Sequence, residues 1–175
     1  MDSGKVALFI LLLVVLVLIG CGQGFRNGVP HKAQDDTVCL KRADLKLIAA
    51  ALNSDTATME AAIRSGADVN VAIEGLGPSI VVASVGDNYS GVQLLLDRGA
   101  NINAEDSEGH TALISASLGN SPAMVRLLLS KGANVNAPSN IIVNGKKPGF
   151  TPLMIAKAKG RQEIVKLLTE AGAKK

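Results

Sequence analysis

Aromatic side chains are nearly absent: the 175 residues hold no Trp, one Tyr and three Phe. Single strands of nucleic acid are held by stacking bases on aromatic rings along a basic groove, and this chain has too few rings for that. Histidine is just as scarce, with only His31 and His110, and cysteine is limited to Cys21 and Cys39. Neither a zinc cluster nor a nucleophile–base–orienter triad can be assembled from that set. The glycine-rich stretches, residues 20–24 and Gly75-Leu76-Gly77, lack the preceding strand and following helix of a phosphate-binding loop and read as plain loops. No enzyme activity, cofactor or metal is expected, and nucleic acid is not an expected partner.

What is present begins with an apolar run, Val6 to Ile19, preceded by Lys5 and closed by Gly20 before Cys21. A membrane-spanning helix needs about 18–20 apolar residues, whereas the core of a secretory signal needs about 7–15. The run therefore reads as a signal peptide over residues 1–20, with an uncleaved signal anchor or plain secretion as the alternatives. The sequence Leu18-Ile19-Gly20-Cys21 resembles the bacterial lipobox, in which cleavage leaves an acylated N-terminal cysteine. That resemblance implies lipidation at Cys21 and a chain held on a membrane of the cell envelope. Gly22, in place of Asp after the cysteine, resembles sorting to the outer membrane. Two or more acyl chains exceed the threshold for stable anchoring. Were Cys21 not acylated, it could instead pair with Cys39 in an oxidising compartment. Residues 21–37, rich in glycine and polar side chains, read as a flexible tether.

The rest of the chain is periodic. Gly66-Ala67-Asp68-Val69-Asn70, Gly99-Ala100-Asn101-Ile102-Asn103 and Gly132-Ala133-Asn134-Val135-Asn136 recur every 33 residues, and Gly172-Ala173 begins a further copy. Each glycine follows an apolar stretch of helical periodicity, where a left-handed residue ends a helix without steric penalty. Thr111, Thr151 and Ser121 stand where a hydroxyl can cap the next helix, and Pro122 and Pro152 suit a first helical position. Ala50, Ala83, Ala116 and Ala156 are small enough to let helices approach closely, while the Leu/Val/Ile triplets of the second helices fill the space between repeats.

Thr151-Pro152-Leu153-Met154-Ile155-Ala156, with Glu163 to Leu168 after it, and the matching Gly109-His110-Thr111-Ala112-Leu113 resemble the ankyrin repeat. The resemblance covers about residues 40 to 175. It implies an all-α solenoid of about four helix-turn-helix repeats with projecting hairpin fingers, near 40–70, 71–103, 104–136 and 144–175, within a domain spanning 38–175. It also implies a protein partner, bound by the fingers and the concave face of the inner helices. The family's usual histidine after Thr-Pro-Leu is replaced by Val81, Ile114 or Met154. The inter-repeat hydrogen bonds that this histidine makes are therefore expected to be missing, and the loop network to rest more on apolar contact.

A second departure is an insertion. Asn103 lies 8 positions before Thr111, but Asn136 lies 15 before Thr151, so the finger at 137–150 carries seven extra residues. Its core, Ile141-Ile142-Val143-Asn144-Gly145-Lys146-Lys147, has the Asn-Gly of a tight hairpin flanked by strand formers. Two readings stand: Ile141, Ile142, Val143, Asn144, Lys146 and Lys147 contact the partner, or the apolar residues fold back as padding on the last repeat. Glu105 and Glu108 on the preceding finger are further candidate contacts, with Asp106 and Gly109 serving the turn between them. Tyr89, expected in the turn between the second repeat's helices, is a candidate anchor. His110 is expected to face solvent.

Charge divides unevenly. Residues 146–175 hold eight Lys or Arg against two Glu, while residues 21–145 hold nine basic against twelve acidic. The basic end reads as the polar outer face that a terminal repeat requires, with weak contact to an anionic surface as the alternative. For function, the leading expectation is a membrane-anchored protein-binding module. The alternatives are an inhibitor or immunity protein that blocks an exported toxin or enzyme, and a redox-protective protein using Cys39. Replacing Cys21 with Ser is expected to abolish incorporation of a labelled fatty acid in a bacterial host and move the chain out of the membrane fraction. Undiminished labelling of C21S would exclude acylation at that residue.

Overall fold

A computed structural model of the protein describes residues 41–140 and 149–174. The leader, the tether, Cys21, Cys39, His31 and the finger segment 141–148, with its Ile141, Ile142, Val143, Asn144, Lys146 and Lys147, lie outside the described residues. Residues from Lys41 onward form one compact unit. In it, eight helices come as four antiparallel pairs: α1 (Arg42–Leu52) with α2 (Thr56–Arg64), α3 (Ser79–Val85) with α4 (Tyr89–Asp97), α5 (Ala112–Gly119) with α6 (Pro122–Ser130), and α7 (Pro152–Ala158) with α8 (Gln162–Glu170). The inner helices α1, α3, α5 and α7 pack one upon the next, and so do the outer helices α2, α4, α6 and α8.

The starts and stops of these helices follow from short polar residues. Thr111 Oγ1 accepts the Ile114 amide at 3.4 Å, Thr151 Oγ1 the Met154 amide at 3.3 Å and Ser121 Oγ the Met124 amide at 3.4 Å. Asp55 and Asn88 cap α2 and α4 in the same way, satisfying amides that a helix start leaves without partners. The Asp55 carboxyl is held below the usual carboxylate range, first by the Thr58 hydroxyl and then by the Thr58 amide. Gly66, Gly99, Gly132 and Gly172 end the outer helices with φ between 85° and 89°, and open space surrounds each one where a Cβ would stand. Backbone conformation, not crowding, demands glycine there.

The core is aliphatic and shared. Leu95, Leu128 and Leu168 hold the same place in successive outer helices and are completely buried, and Leu167 is nearly so. Ala50, Ala83, Ala116 and Ala156 are buried along the inner helices, where the absence of a longer side chain lets neighbouring helices approach. The large side chains buried between repeats include Met59, Ile114, Met124, Leu153 and Ile164. Burial of each such chain contributes about 1.5–3 kcal/mol.

Contrary to the expectation of a loop network held by apolar contact, an asparagine ladder ties the repeats together. Asn70 Oδ1 accepts the Asn101 amide at 2.7 Å, Asn103 Oδ1 the Asn134 amide at 2.8 Å, and Asn136 Oδ1 the Lys174 amide at 2.8 Å. In the first repeat the buried Asp44 does related work, accepting from the amides of Asp68 and Lys41. The other polar residue of each motif closes a local turn: Asp68, Asn101 and Asn134 each accept the amide two positions on. The recurring Asp/Asn-x-Asn is therefore a pair of acceptors, one serving its own loop and one serving the next repeat. Loss of the family's histidine removes one tie and leaves this one intact.

Ion pairs complete the joins on the outer helices. Glu60 meets Arg98 at 3.3 Å, Asp97 meets Lys131 at 3.2 Å, and Arg126 meets Glu163 at 3.1 Å. Each pair bridges two successive repeats, though exposed pairs contribute little individually. The Asp97 carboxyl lies below its ordinary range because Gln93 donates to it, with Lys131 adding to the effect.

Leu128→Ala is expected to lower the free energy of unfolding by about 2–5 kcal/mol, since the rigid neighbours cannot close the cavity. Asn103→Ala should lower it by about 1 kcal/mol, the net value of one exposed interloop hydrogen bond. Urea unfolding of the two variants checks both magnitudes, and equal losses would contradict a core-dominated fold.

Candidate partner-binding surface

The finger between the second outer helix and α5 is built around Asp106. Its Oδ1 accepts the amides of Glu108 at 2.9 Å and His110 at 2.8 Å, and its Oδ2 lies 3.2 Å from His110 Nδ1. The backbone closes the same turn, with Asp106 N–H donating to the His110 carbonyl and Gly109 N–H to the Asp106 carbonyl. Four hydrogen bonds and an imidazole contact thus hold this turn in one conformation. Glu105 and Glu108 stand exposed on it. Glu108 is 68% exposed, while its Oε2 still approaches His110 Nδ1 to 3.5 Å.

His110 differs from the expectation of a solvent-facing loop residue. Its side chain is only 15% exposed, and its Nε2 is buried without a partner. Two other fingers flank the turn that carries this ring. On one side is the hairpin β1 (Ala72–Ile73) and β2 (Gly77–Pro78), antiparallel, with Ala72 opposite Pro78. Gly77 has φ 87°, and a Cβ there would stand 2.7 Å from the Asp106 Cβ. On the other side the Asn140 amide donates to the Glu108 carbonyl at 2.8 Å. Gly109, with φ 73°, leaves no room for a Cβ, which would meet the Asn140 nitrogen at 2.6 Å. Only glycine permits either approach.

The long finger is fastened at its base, where the Ser139 amide donates to the Phe150 carbonyl at 3.0 Å. The residues between Asn140 and Gly149 are those outside the description. Three fingers therefore sit side by side with shared backbone contacts, and Glu105 and Glu108 project from the middle one.

Tyr89 also lies elsewhere than expected. It is the first residue of α4, directly after the cap Asn88, and is 47% exposed. The turn ends one residue earlier because the buried Asn88 accepts the Gly91 amide at 2.8 Å. Along the middle inner helices α3 and α5, residues 79–84 and 112–117 are all buried. What α3 and α5 expose is their last turn, at Val85, 69% exposed, and Leu118, 38%.

The final repeat presents a different surface. Met154, the counterpart of the buried Val81 and Ile114, is 43% exposed. Lys157 occupies the place of the buried Ser84 and Ser117, and exposed Thr169 the place of Leu129. Polar residues thus cover the face onto which a further repeat would stack. A shallow depression of about 290 Å³ lies there among Lys157, Gly160, Gln162 and Val165. Both acidic residues of this repeat are engaged, Glu163 with Arg126 and Glu170 with Lys166.

Among the described residues no group of three His, Cys, Asp or Glu side chains could hold a metal ion, and no helix is long and apolar enough to cross a membrane. The family model of ankyrin repeats matches three copies across residues 47–139 and 80–175. The chain is an ankyrin repeat protein. A search of the curated proteins gives no match. Ankyrin repeats are generally protein–protein interaction modules and not enzymes. Sequence reasoning placed Glu105 and Glu108 on a finger and Asp106 in its turn. It missed the exposed pair Val85 and Leu118, whose 33-residue separation marks them as equivalent positions without reporting their exposure.

Asp106→Ala is expected to cost about 1–3 kcal/mol, because two finger amides and the imidazole lose their acceptor. Hydrogen exchange should quicken at the Glu108 and His110 amides while that of α6 changes less. Unchanged exchange in the finger would show that the carboxylate does not organise it.

Proposed function

We propose that this ankyrin protein is a lipid-anchored adaptor of the bacterial cell envelope that holds another protein on its finger row. The anchor rests on the Leu18-Ile19-Gly20-Cys21 sequence, which resembles a lipobox and would tether the domain to a periplasmic or outer membrane face through acylated Cys21. Residues 21–37 would give it reach. The contact rests chiefly on one observation: two exposed carboxylates, Glu105 and Glu108, stand on a turn whose backbone is already fixed by Asp106.

Preorganisation matters because loop ordering opposes binding by about 0.5–1.5 kcal/mol for each immobilised side chain. A finger held by Asp106, Gly77 and Asn140 has met part of that cost during folding. Two carboxylates on such a turn suit a partner presenting Lys or Arg, and charge complementarity of this type acts mainly on the association rate and on partner choice. The long finger next to it, with Ile141 to Val143 and Lys146 and Lys147, would add apolar and basic contacts from the same side. The outer helices have much of their charge engaged in pairs between repeats, whereas Glu105 and Glu108 form no inter-repeat pair.

Crosslinking in intact cells, followed by capture of the anchored chain, tests the reading. The Glu105→Lys/Glu108→Lys double variant should lose most of the crosslinked partner, and raising salt should weaken capture of the unaltered protein. Equal recovery by E105K/E108K and by a deletion of residues 141–147 would remove the finger row as the contact.

A further inference from the structure

The turns that join inner to outer helices form a second edge, at the opposite end of the helices from the fingers. Corresponding positions in the four repeats can be read across it. The last inner-helix position is Leu52, Val85, Leu118 and Ala158 in turn. Two positions later, Ser54, Asp87, Asn120 and Gly160 all have positive φ, between 52° and 67°, so the four turns share one backbone geometry. The side chains at corresponding places therefore fall into rows along the edge.

These rows change character from one end to the other. The first two repeats contribute exposed Asp55 and Asp87, and the last contributes exposed Lys159. Between the charged ends lie Val85 and Leu118, two of the four exposed large apolar residues among those described. The edge is acidic, then apolar, then basic.

A strip with that order is complementary to itself. A two-fold axis through its middle, between the second and third repeats, sets the first repeat of one copy against the fourth of the other. Val85 then meets the other copy's Leu118, Asp55 meets its Lys159, and Asp87 meets the amide of its Asn120. Closed two-fold pairing requires one patch that matches itself under rotation, and this edge meets that requirement in both charge and apolarity. We propose that the turn edge is a self-association surface, and that two copies of this chain pair through it in antiparallel fashion.

The pairing is weak by construction. At roughly 10 Å per stacked helix the strip is about 30 Å long and one turn wide, about half the ~800 Å² per partner of a standard interface. Confinement raises effective concentration, so copies held on one membrane would pair where dilute ones would not. The proposal stands apart from the finger reading, because the two edges lie at opposite ends of the helices and one copy can use both.

Disulfide capture between two differently tagged full-length chains tests it, with Cys39→Ser in both. One chain carries Val85→Cys and the other Leu118→Cys. Co-expression should give a reducible adduct containing one copy of each, several-fold above that from either variant alone. Adding Lys159→Glu to both chains should reduce the adduct several-fold, whereas Lys159→Arg, which keeps the charge, should retain it. Both cysteine positions are exposed, so unfolding curves should match the parent and loss of adduct cannot be blamed on misfolding. Absence of the mixed adduct, or trapping of a different protein in its place, overturns the proposal. Deletion of residues 141–147 should leave the adduct unchanged even where it abolishes partner capture.

Discussion

No repeat in this chain has a core of its own, and every other feature follows from that constraint. A pair of helices seven to eleven residues long buries little when alone, and isolated helices of that length are marginal in water. Leu95, Leu128 and Leu168 are shielded only because the next pair lies against them. Stability in such a stack is close to a sum of repeat and neighbour terms, so the interfaces, more than the repeats, decide whether the chain folds. The near absence of aromatic residues is consistent with this design. Interlocked aliphatic chains fill narrow gaps between small helices, and alanines on the inner helices keep those gaps narrow.

Polar ties then set the register that apolar contact leaves loose. Apolar burial is non-directional, whereas Asn70, Asn103 and Asn136 each accept one defined amide in the next repeat. The ladder lies beside the fingers, so the same hydrogen bonds that align the repeats also align the surface from which Glu105 and Glu108 project. At the far end of the helices Ser54, Asp87 and Asn120 hold the left-handed turns without glycine, a conformation that Asn and Asp tolerate better than most residues. One edge of the stack is thereby ordered by asparagine acceptors and the other by repeated turn geometry, and each presents a row of equivalent side chains.

Division of labour among the surfaces follows. Outer helices carry ion pairs that bridge repeats, and the last repeat carries Lys157 where its predecessors carry buried serines. These two surfaces are largely occupied by the needs of the stack. The finger row and the turn edge are not, and they differ in chemistry: one projects carboxylates from a fixed backbone, and the other runs from acidic to apolar to basic. Binding by ankyrin repeats is legible at that level, and the chemistry of each edge narrows the kind of molecule that would fit.

The repeat period, the helix starts at Thr111, Ser121 and Thr151, the glycine stops and the buried aliphatic rows were all determined by local sequence, because each depends on spacing and on the conformational preferences of single residues. Asp106 was legible as a turn residue for the same reason. The tertiary structure alone decided the rest. The interloop acceptor role of Asn70, Asn103 and Asn136 spans 31 to 38 positions, and no local rule reports what a side chain meets at that distance. The turn that carries His110 is flanked by Gly77 and Asn140 from other fingers, and Tyr89 became helical because Asn88 capped the helix one residue sooner. Exposure of Val85 and Leu118 likewise depends on where the stack ends its contacts, since burial is a property of neighbours and not of the residue.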